Sequence, residues 1–78
     1  MNIEKLKWAC RRGMLELDIL LQRYLEHGYP QASADERAQF IALLSCEDQH
    51  LFDWLMYKKE PDAVHQAMVK KIQQVKVP

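Results

Sequence analysis

Apolar residues recur every three or four positions along most of this chain, and this helical spacing restricts the fold more than any other feature. The clearest stripe follows Gly13 and is widened by Leu20. Its spaced members are Met14, Leu17, Leu21, Tyr24 and Leu25. No stretch shows the strict apolar–polar alternation of a half-buried strand. The sequence therefore predicts an all-α protein.

Five such segments are separated by glycine, proline and capping residues. The first helix is predicted from about residue 3 to Arg12, and the second from just past Gly13 to near His27. The third runs from Ser33 to near Ser45 or Cys46. A fourth, short helix follows and has Lys58 and Lys59 near its end, and the fifth begins around Pro61 and frays beyond Gln74. We expect a small five-helix bundle.

The 78 residues suffice for one domain only. We expect a single domain over residues 1–78, with an ordered core from about 3 to 74 and a short C-terminal tail.

Local signals refine these boundaries. Gly13 and Gly28 are predicted to take the left-handed conformation that ends a helix. Ser33 and Glu36 fit a capping box, in which the serine oxygen accepts from the third helical amide and the glutamate reaches back. A weaker cap signal lies at residues 45–48, and Pro61 suits a first helical position.

Composition argues against several classes of function. Lysine plus arginine and aspartate plus glutamate each number 11, so the chain lacks the basic surplus of a nucleic-acid-binding protein. A helix-turn-helix reading is further disfavoured because the third and fourth helices begin with acids. No apolar run is long enough to span a membrane, and we expect no direct membrane insertion. Two distant cysteines without a metal-binding spacing favour a location in a reducing cytoplasm.

Charged residues flank the lone glycine between the first two segments. Arg11 and Arg12 precede Gly13, and Glu16 and Asp18 follow it. Cations suit the end of one helix and carboxylates the start of the next, so capping alone could account for all four charges. In that interpretation Arg12 and Glu16 could also pair across the turn.

Trp8 falls off the main apolar stripe of the first helix. Either it covers the edge of the core, which we favour because large aromatic side chains are usually buried, or it stands on the surface as an anchor for a partner.

The ordered motif around Gly13 resembles that of the SdhE family. It comprises Arg12-Gly13-x-x-Glu16, then Leu17-Asp18-x-x-Leu21, with Trp8 upstream and Leu51-Phe52-x-Trp54-Leu55 far downstream. The resemblance covers about residues 3 to 72 and includes the chain length. Members of that family are small helical assembly factors for the flavoprotein subunit of succinate dehydrogenase and fumarate reductase.

The resemblance implies an assembly factor that promotes covalent attachment of FAD to a flavoprotein subunit. FAD would be bound by the client, and this chain would hold no cofactor, no metal and no catalytic residue. We expect a monomer whose partner-binding residues are Trp8, Arg11, Arg12, Gly13, Glu16 and Asp18. On this reading, Gly13→Arg or Glu16→Ala would lower client flavinylation and leave melting nearly unchanged.

Other chemistry finds little support in the sequence. His27, His50 and His65 have no i, i+4 partner and no neighbouring cysteine, so we expect surface histidines and no metal site. Cys10 and Cys46 are expected to be small packing residues. An antitoxin-like regulator of a toxin–antitoxin pair is the alternative function, although the chain offers no DNA-reading helix.

Overall fold

The computed structural model describes residues 2–75, and within that range the prediction of an all-α chain with five helices is confirmed. The helices are α1 (Ile3–Ala9), α2 (Leu15–His27), α3 (Ala34–Leu44), α4 (Asp48–Leu55) and α5 (Gln66–Gln74). Single 3₁₀ turns at Tyr29–Gln31 and Ala63–His65 precede α3 and α5. Most of the predicted C-terminal tail, residues 76–78, lies outside the described residues.

Helix α2 is the centre of the bundle, since it packs against α1, α4 and α5, while α3 packs on α5. The apolar stripe predicted for α2 is buried at Leu17, Leu21, Tyr24 and Leu25. The other helices and the residue after α1 supply the rest of the core: Leu6, Cys10, Phe40, Leu43, Leu44, Leu51, Trp54, Leu55, Met68, Val69 and Ile72. Because helices this short are unstable alone, burial of these faces provides most of the folding free energy.

Helix α1 ends at Ala9, three residues before the predicted end at Arg12. The Cys10 amide still donates to Leu6 O, but the Arg11 amide reaches only Trp8 O in a tighter turn. The next amides, of Arg12 and Gly13, turn away to the carboxylate of Asp18. A link over residues 10–14, here called the glycine corner, therefore joins α1 to α2.

The prediction that Gly28 is left-handed was wrong, because its φ is −107°. Glycine is required there for space. A Cβ at residue 28 would lie 2.6 Å from Cε1 of Tyr24, closer than real side chains approach. The absence of a side chain lets the chain turn tightly over the buried tyrosine.

The predicted capping box is half formed. Ser33 Oγ accepts from the Glu36 amide at 3.1 Å and begins α3 as expected. The Glu36 carboxylate does not return to Ser33, because it accepts from Tyr24 Oη and Lys71 Nζ, both at 2.5 Å. The weaker signal at 45–48 also fails as a side-chain cap. Ser45 Oγ donates backward to Ala42 O, and Glu47 caps α4 without a side-chain bond.

The segment after α4 differs from the expectation. Helix α4 ends at Leu55, so Lys58 and Lys59 lie beyond it, and Lys58 has a φ of 56°. Pro61 is not in a helix, since regular structure resumes only at Ala63. The left-handed residue and the proline together keep residues 58–62 irregular.

Candidate functional site

The backbone of the glycine corner depends on one left-handed residue. Gly13 has a φ of +79°, as predicted, and a Cβ built on it would meet no atom within 4 Å. The position is exposed, so space is available but the conformation disfavours any other residue. A partner can therefore approach this stretch of backbone closely.

Asp18 closes the corner from inside. Its carboxylate accepts from the Arg12 amide at 2.8 Å and from the Gly13 amide at 3.2 Å. It is half-buried on the first turn of α2, where a negative charge also suits the helix dipole. Asp18 thus fixes the direction in which the chain passes from α1 to α2.

The Arg12 side chain is directed into the molecule and spans to the α3–α4 link. Its Nη2 donates to Leu44 O, and its Nη1 donates to Cys46 O at 3.4 Å. The same Nη1 lies 3.1 Å from Asp48 Oδ1, and the side chain is only 15% exposed. Arg12 therefore ties the corner to the end of α3 and the start of α4.

These contacts replace the ion pair with Glu16 that was open to Arg12 from the sequence. Its carboxylate partner in the described chain is Asp48, from 36 positions away, and not Glu16. The Nε atom of Arg12 is buried without a hydrogen-bond partner. The guanidinium is thus held by two carbonyls and one carboxylate, all distant in the sequence, so these contacts could not be predicted from local patterns.

The outer face of the corner is formed by Trp8, Arg11, Gly13 and Glu16, all of which are exposed. Trp8 is 72% exposed, so the favoured edge-of-core interpretation was wrong and the ring lies on the surface, while its role as an anchor for a partner stays a prediction. The Arg11 guanidinium lies over the Trp8 ring, 5.5 Å from its centroid. This pair presents a cation–π surface to solvent.

Sequence reasoning missed two exposed apolar residues on the same side of α2. Leu15 is 76% exposed and Ile19 is 46% exposed, and their spacing of four places them on one helix face. The sequence feature that could have identified them is that both are large and apolar but lie outside the buried stripe of α2. Large aliphatic side chains off the core stripe are candidates for partner contact, as Trp8 is.

The grooves beside the corner are too small for a dinucleotide. One, between Lys7 and Arg11 of the α1 side and Gln22 and Glu26 of α2, measures about 230 Å³. Another beside Trp8 measures about 130 Å³. Cofactor sites usually occupy ~300–1,000 Å³ with a largely enclosed wall.

The structure also brings together one cysteine and one histidine that sequence reasoning kept apart. Cys46 Sγ lies 3.3 Å from His65 Nε2. Burial raises the pKa of the Cys46 thiol, which favours the neutral form over a nucleophilic thiolate. Cys10 is fully buried, and burial raises the pKa of its thiol to about 11. No group of three or more potential metal ligands occurs in the described residues.

The family described as "Flavinator of succinate dehydrogenase" matches residues 4–76, nearly the entire chain and both sides of the glycine corner. The chain belongs to this family. Its members are assembly factors and not enzymes, so the resemblance inferred from the motif is confirmed.

Curated relatives agree with this assignment. A Pseudomonas aeruginosa protein named FAD assembly factor SdhE is 46% identical over 72 residues, 91% of this chain and 86% of that protein. A protein of the same name from Yersinia pestis is 48% identical over 73 residues, 92% and 83% of the two chains. One from Shewanella oneidensis is 52% identical over 56 residues, 72% and 68%. Neither the family description nor these names mention an antitoxin.

The residues 2–75 contain no helix long and apolar enough to cross a bilayer.

Proposed function

We propose that this protein binds the flavoprotein subunit of succinate dehydrogenase and promotes covalent attachment of FAD to it. The observation that carries the proposal is the family match over residues 4–76. Fumarate reductase, which the resemblance of the motif also implies, is proposed as a second client.

The outer face of the glycine corner is the proposed docking surface. Exposed Trp8, Arg11 and Glu16 offer an aromatic surface, a cation and an anion around the bare backbone of Gly13. Leu15 and Ile19 extend this face with exposed apolar area. Aromatic and arginine side chains with an apolar centre are typical of interface residues that dominate binding energy.

Arg12 and Asp18 belong to the same proposed site in a supporting role. Both side chains are committed to hydrogen bonds inside the chain, Asp18 to the corner amides and Arg12 to Leu44 O and Cys46 O. They determine where Gly13 and Glu16 are presented. Because the corner is already ordered, it loses less conformational entropy when the partner binds.

The proposed mechanism is one of positioning. The resemblance implies that a client histidine forms the bond to the flavin ring, a step that needs close approach and stabilisation of developing negative charge. FAD resides in the client in this proposal, consistent with the small grooves beside the corner. The assembly factor favours the reactive client geometry by charge-assisted hydrogen bonds from its outer face.

A monomer in the bacterial cytoplasm completes the proposal. The free thiols of Cys10 and Cys46 fit a reducing compartment.

The first test compares two exposed acids, each in the first turn of its helix. Glu16→Ala is expected to lower covalent flavin in the client about tenfold, equivalent to about 1.4 kcal/mol of binding, because it removes a charge from the docking surface. Asp35→Ala makes the same change on α3 and should leave flavinylation unaltered. The measurement is flavin fluorescence of the client in denaturing gels after co-expression in cells lacking the endogenous factor.

A matched aromatic pair probes the apolar part of the surface. Trp8→Ala should lower flavinylation, whereas Tyr57→Ala, which removes a 65% exposed ring elsewhere, should not. Circular dichroism melting of all variants verifies that they remain folded. Equal flavinylation by Trp8→Ala, Glu16→Ala and the unaltered protein would refute the docking surface.

A further inference from the structure

A second surface feature lies on a different part of the bundle from the glycine corner. A groove of about 350 Å³ separates α5 from the irregular segment that follows α4. Trp54 and Val69 form its floor, and the ammonium-bearing side chains of Lys58, Lys59 and Lys70 line its walls. Trp54 is six residues beyond Asp48, the α4 residue that Arg12 contacts, or about 9 Å along the helix.

The charge in this groove is unbalanced. Three lysines line it against one carboxylate, that of Glu60. The Lys59 ammonium pairs with Asp53 at 3.8 Å, a long contact whose lysine is 67% exposed, so solvent screens much of this pairing. The whole chain has a formal net charge of zero, so this local excess is a property of the groove and not of the composition. The groove therefore favours an acidic ligand.

The wall of the groove contains an unusual backbone conformation. Lys58 has a φ of 56°, a backbone angle that residues other than glycine and asparagine rarely adopt. The Lys59 amide donates to Asp53 O at 3.0 Å and holds this turn in place. Residues held in sparsely populated backbone conformations cluster at binding sites, which makes Lys58 a candidate for ligand contact.

The floor and the adjoining backbone define the type of acidic ligand. Trp54 is only 7% exposed, so this part of the floor has room for one apolar side chain and has no free ring face on which a nucleotide base could stack. Among residues 2–75, the amides of Lys58 and Glu60 donate to no backbone oxygen. An extended peptide can pair with such amides and also cover the apolar floor, whereas a small anion accepts from the amides but leaves the apolar floor uncovered.

We propose that this groove binds an extended acidic peptide segment of a partner protein. One apolar side chain of the peptide packs on Trp54 and Val69, and flanking carboxylates contact Lys58 and Lys70. This site is separate from the docking surface at the glycine corner and does not depend on the client proposed above.

The test uses a synthetic pentapeptide, acetylated and amidated, of sequence Asp-Glu-Leu-Asp-Glu, titrated into the ¹⁵N-labelled full chain. Shifts are expected at the Trp54 indole and the Val69 and Lys58 amides, with saturation in the millimolar range. Lys58→Gln combined with Lys70→Gln should weaken binding about tenfold. Lys5→Gln combined with Lys7→Gln removes the same charge from α1 and should leave binding unchanged.

Two further titrations test separately whether the apolar side chain and the negative charge of the peptide are needed for binding. Replacing the central leucine of the peptide by serine should weaken binding, and a Lys-Lys-Leu-Lys-Lys peptide should not bind. The proposal is overturned if no groove signals shift at millimolar acidic peptide, if both double variants bind equally, or if ADP shifts the groove signals more strongly than the peptide does.

Discussion

At the scale of single residues, two adjacent arginines have opposite surroundings. Arg11 is exposed, and its guanidinium lies over the face of the Trp8 ring. Arg12 is largely covered and bonds to Leu44 O, Cys46 O and Asp48. Because the two arginines are adjacent in the sequence, only the tertiary structure shows that one is exposed and the other is bonded inside the molecule.

This contrast predicts a difference in stability. Arg12→Ala leaves carbonyl oxygens at the end of α3 without their donor and should destabilise the protein by about 1–3 kcal/mol. Arg11→Ala, an exposed substitution, should change stability by less than about 0.5 kcal/mol. Urea unfolding followed by circular dichroism measures both. Similar losses of unfolding free energy in the two variants would contradict the conclusion that Arg12 ties the corner to α3 and α4.

Gly13 requires a revision of the expectation that Gly13→Arg leaves melting nearly unchanged. At a φ of +79°, any L side chain is strained even though open space surrounds the position. Gly13→Ala should therefore cost about 1 kcal/mol, or about 4–8 °C in melting temperature for a domain of this size. Gly13→Asn should recover part of this loss, because asparagine tolerates the left-handed region better than alanine. An alanine variant that melts with the unaltered protein would contradict this reading.

At the scale of helices, the carboxylate of Glu36 on α3 joins α2 and α5. It accepts from Tyr24 Oη of α2 and from Lys71 Nζ of α5, both at 2.5 Å. The hydrogen bonds from Lys71 and Tyr24 lower the pKa of Glu36 below its ordinary value of 4.5. Burial, with the hydrogen bond to Glu36 second, raises the pKa of Tyr24, which keeps the phenol protonated as the donor.

The lowered pKa of Glu36 sets the direction of a pH effect. A carboxyl whose pKa is lower in the folded state stabilises the fold above its unfolded value, and this contribution is lost as the pH falls through the folded value. Glu36→Gln should thus lower the melting temperature at pH 7, and the difference from the unaltered protein should shrink below about pH 4.5. Asp35→Asn, on the neighbouring exposed acid, serves as control. A Glu36→Gln deficit that persists undiminished at low pH would exclude the ionised carboxylate as its source.

At the scale of the whole molecule, stability depends on the side chains of α2, which meet all four other helices. Leu21 is fully buried there, and Leu21→Ala should cost about 2–5 kcal/mol. Since small domains have only about 5–15 kcal/mol in total, this loss removes a large share of the stability and should lower the melting temperature markedly. Leu15→Ala, the same change at a 76% exposed position of the same helix, should be nearly neutral in thermal melting. A neutral Leu21→Ala would contradict the central position of α2.

Local sequence determined the elements that depend on near neighbours. The spacing of Leu17, Leu21 and Leu25 predicted the buried face of α2, because helix geometry alone aligns residues three and four apart. The Ser33 cap and the left-handed Gly13 were also predictable, since each depends on atoms within a few positions. Helix ends were less predictable where a distant or competing acceptor took the amide, as Asp18 does beyond α1.

The burial pattern of α3 shows where local spacing fails. Ala34 and Ala38, which helical spacing also aligns with Ile41, are exposed, and Phe40, Leu43 and Leu44 are the buried residues. Several apolar stripes were compatible with the sequence of this helix. The position of α5 against it selected one of them, because burying the larger side chains removes more apolar area from water.

The candidate site divides in the same way. The sequence by itself marked the motif from Trp8 to Asp18, and with it the family to which the chain belongs. Only the tertiary structure decided that Trp8, Arg11 and Glu16 face solvent while Arg12 reaches carbonyls 32 and 34 positions away. The physical reason is that a helix or turn follows from interactions among neighbouring residues, whereas exposure and long-range hydrogen bonds follow from how the helices pack.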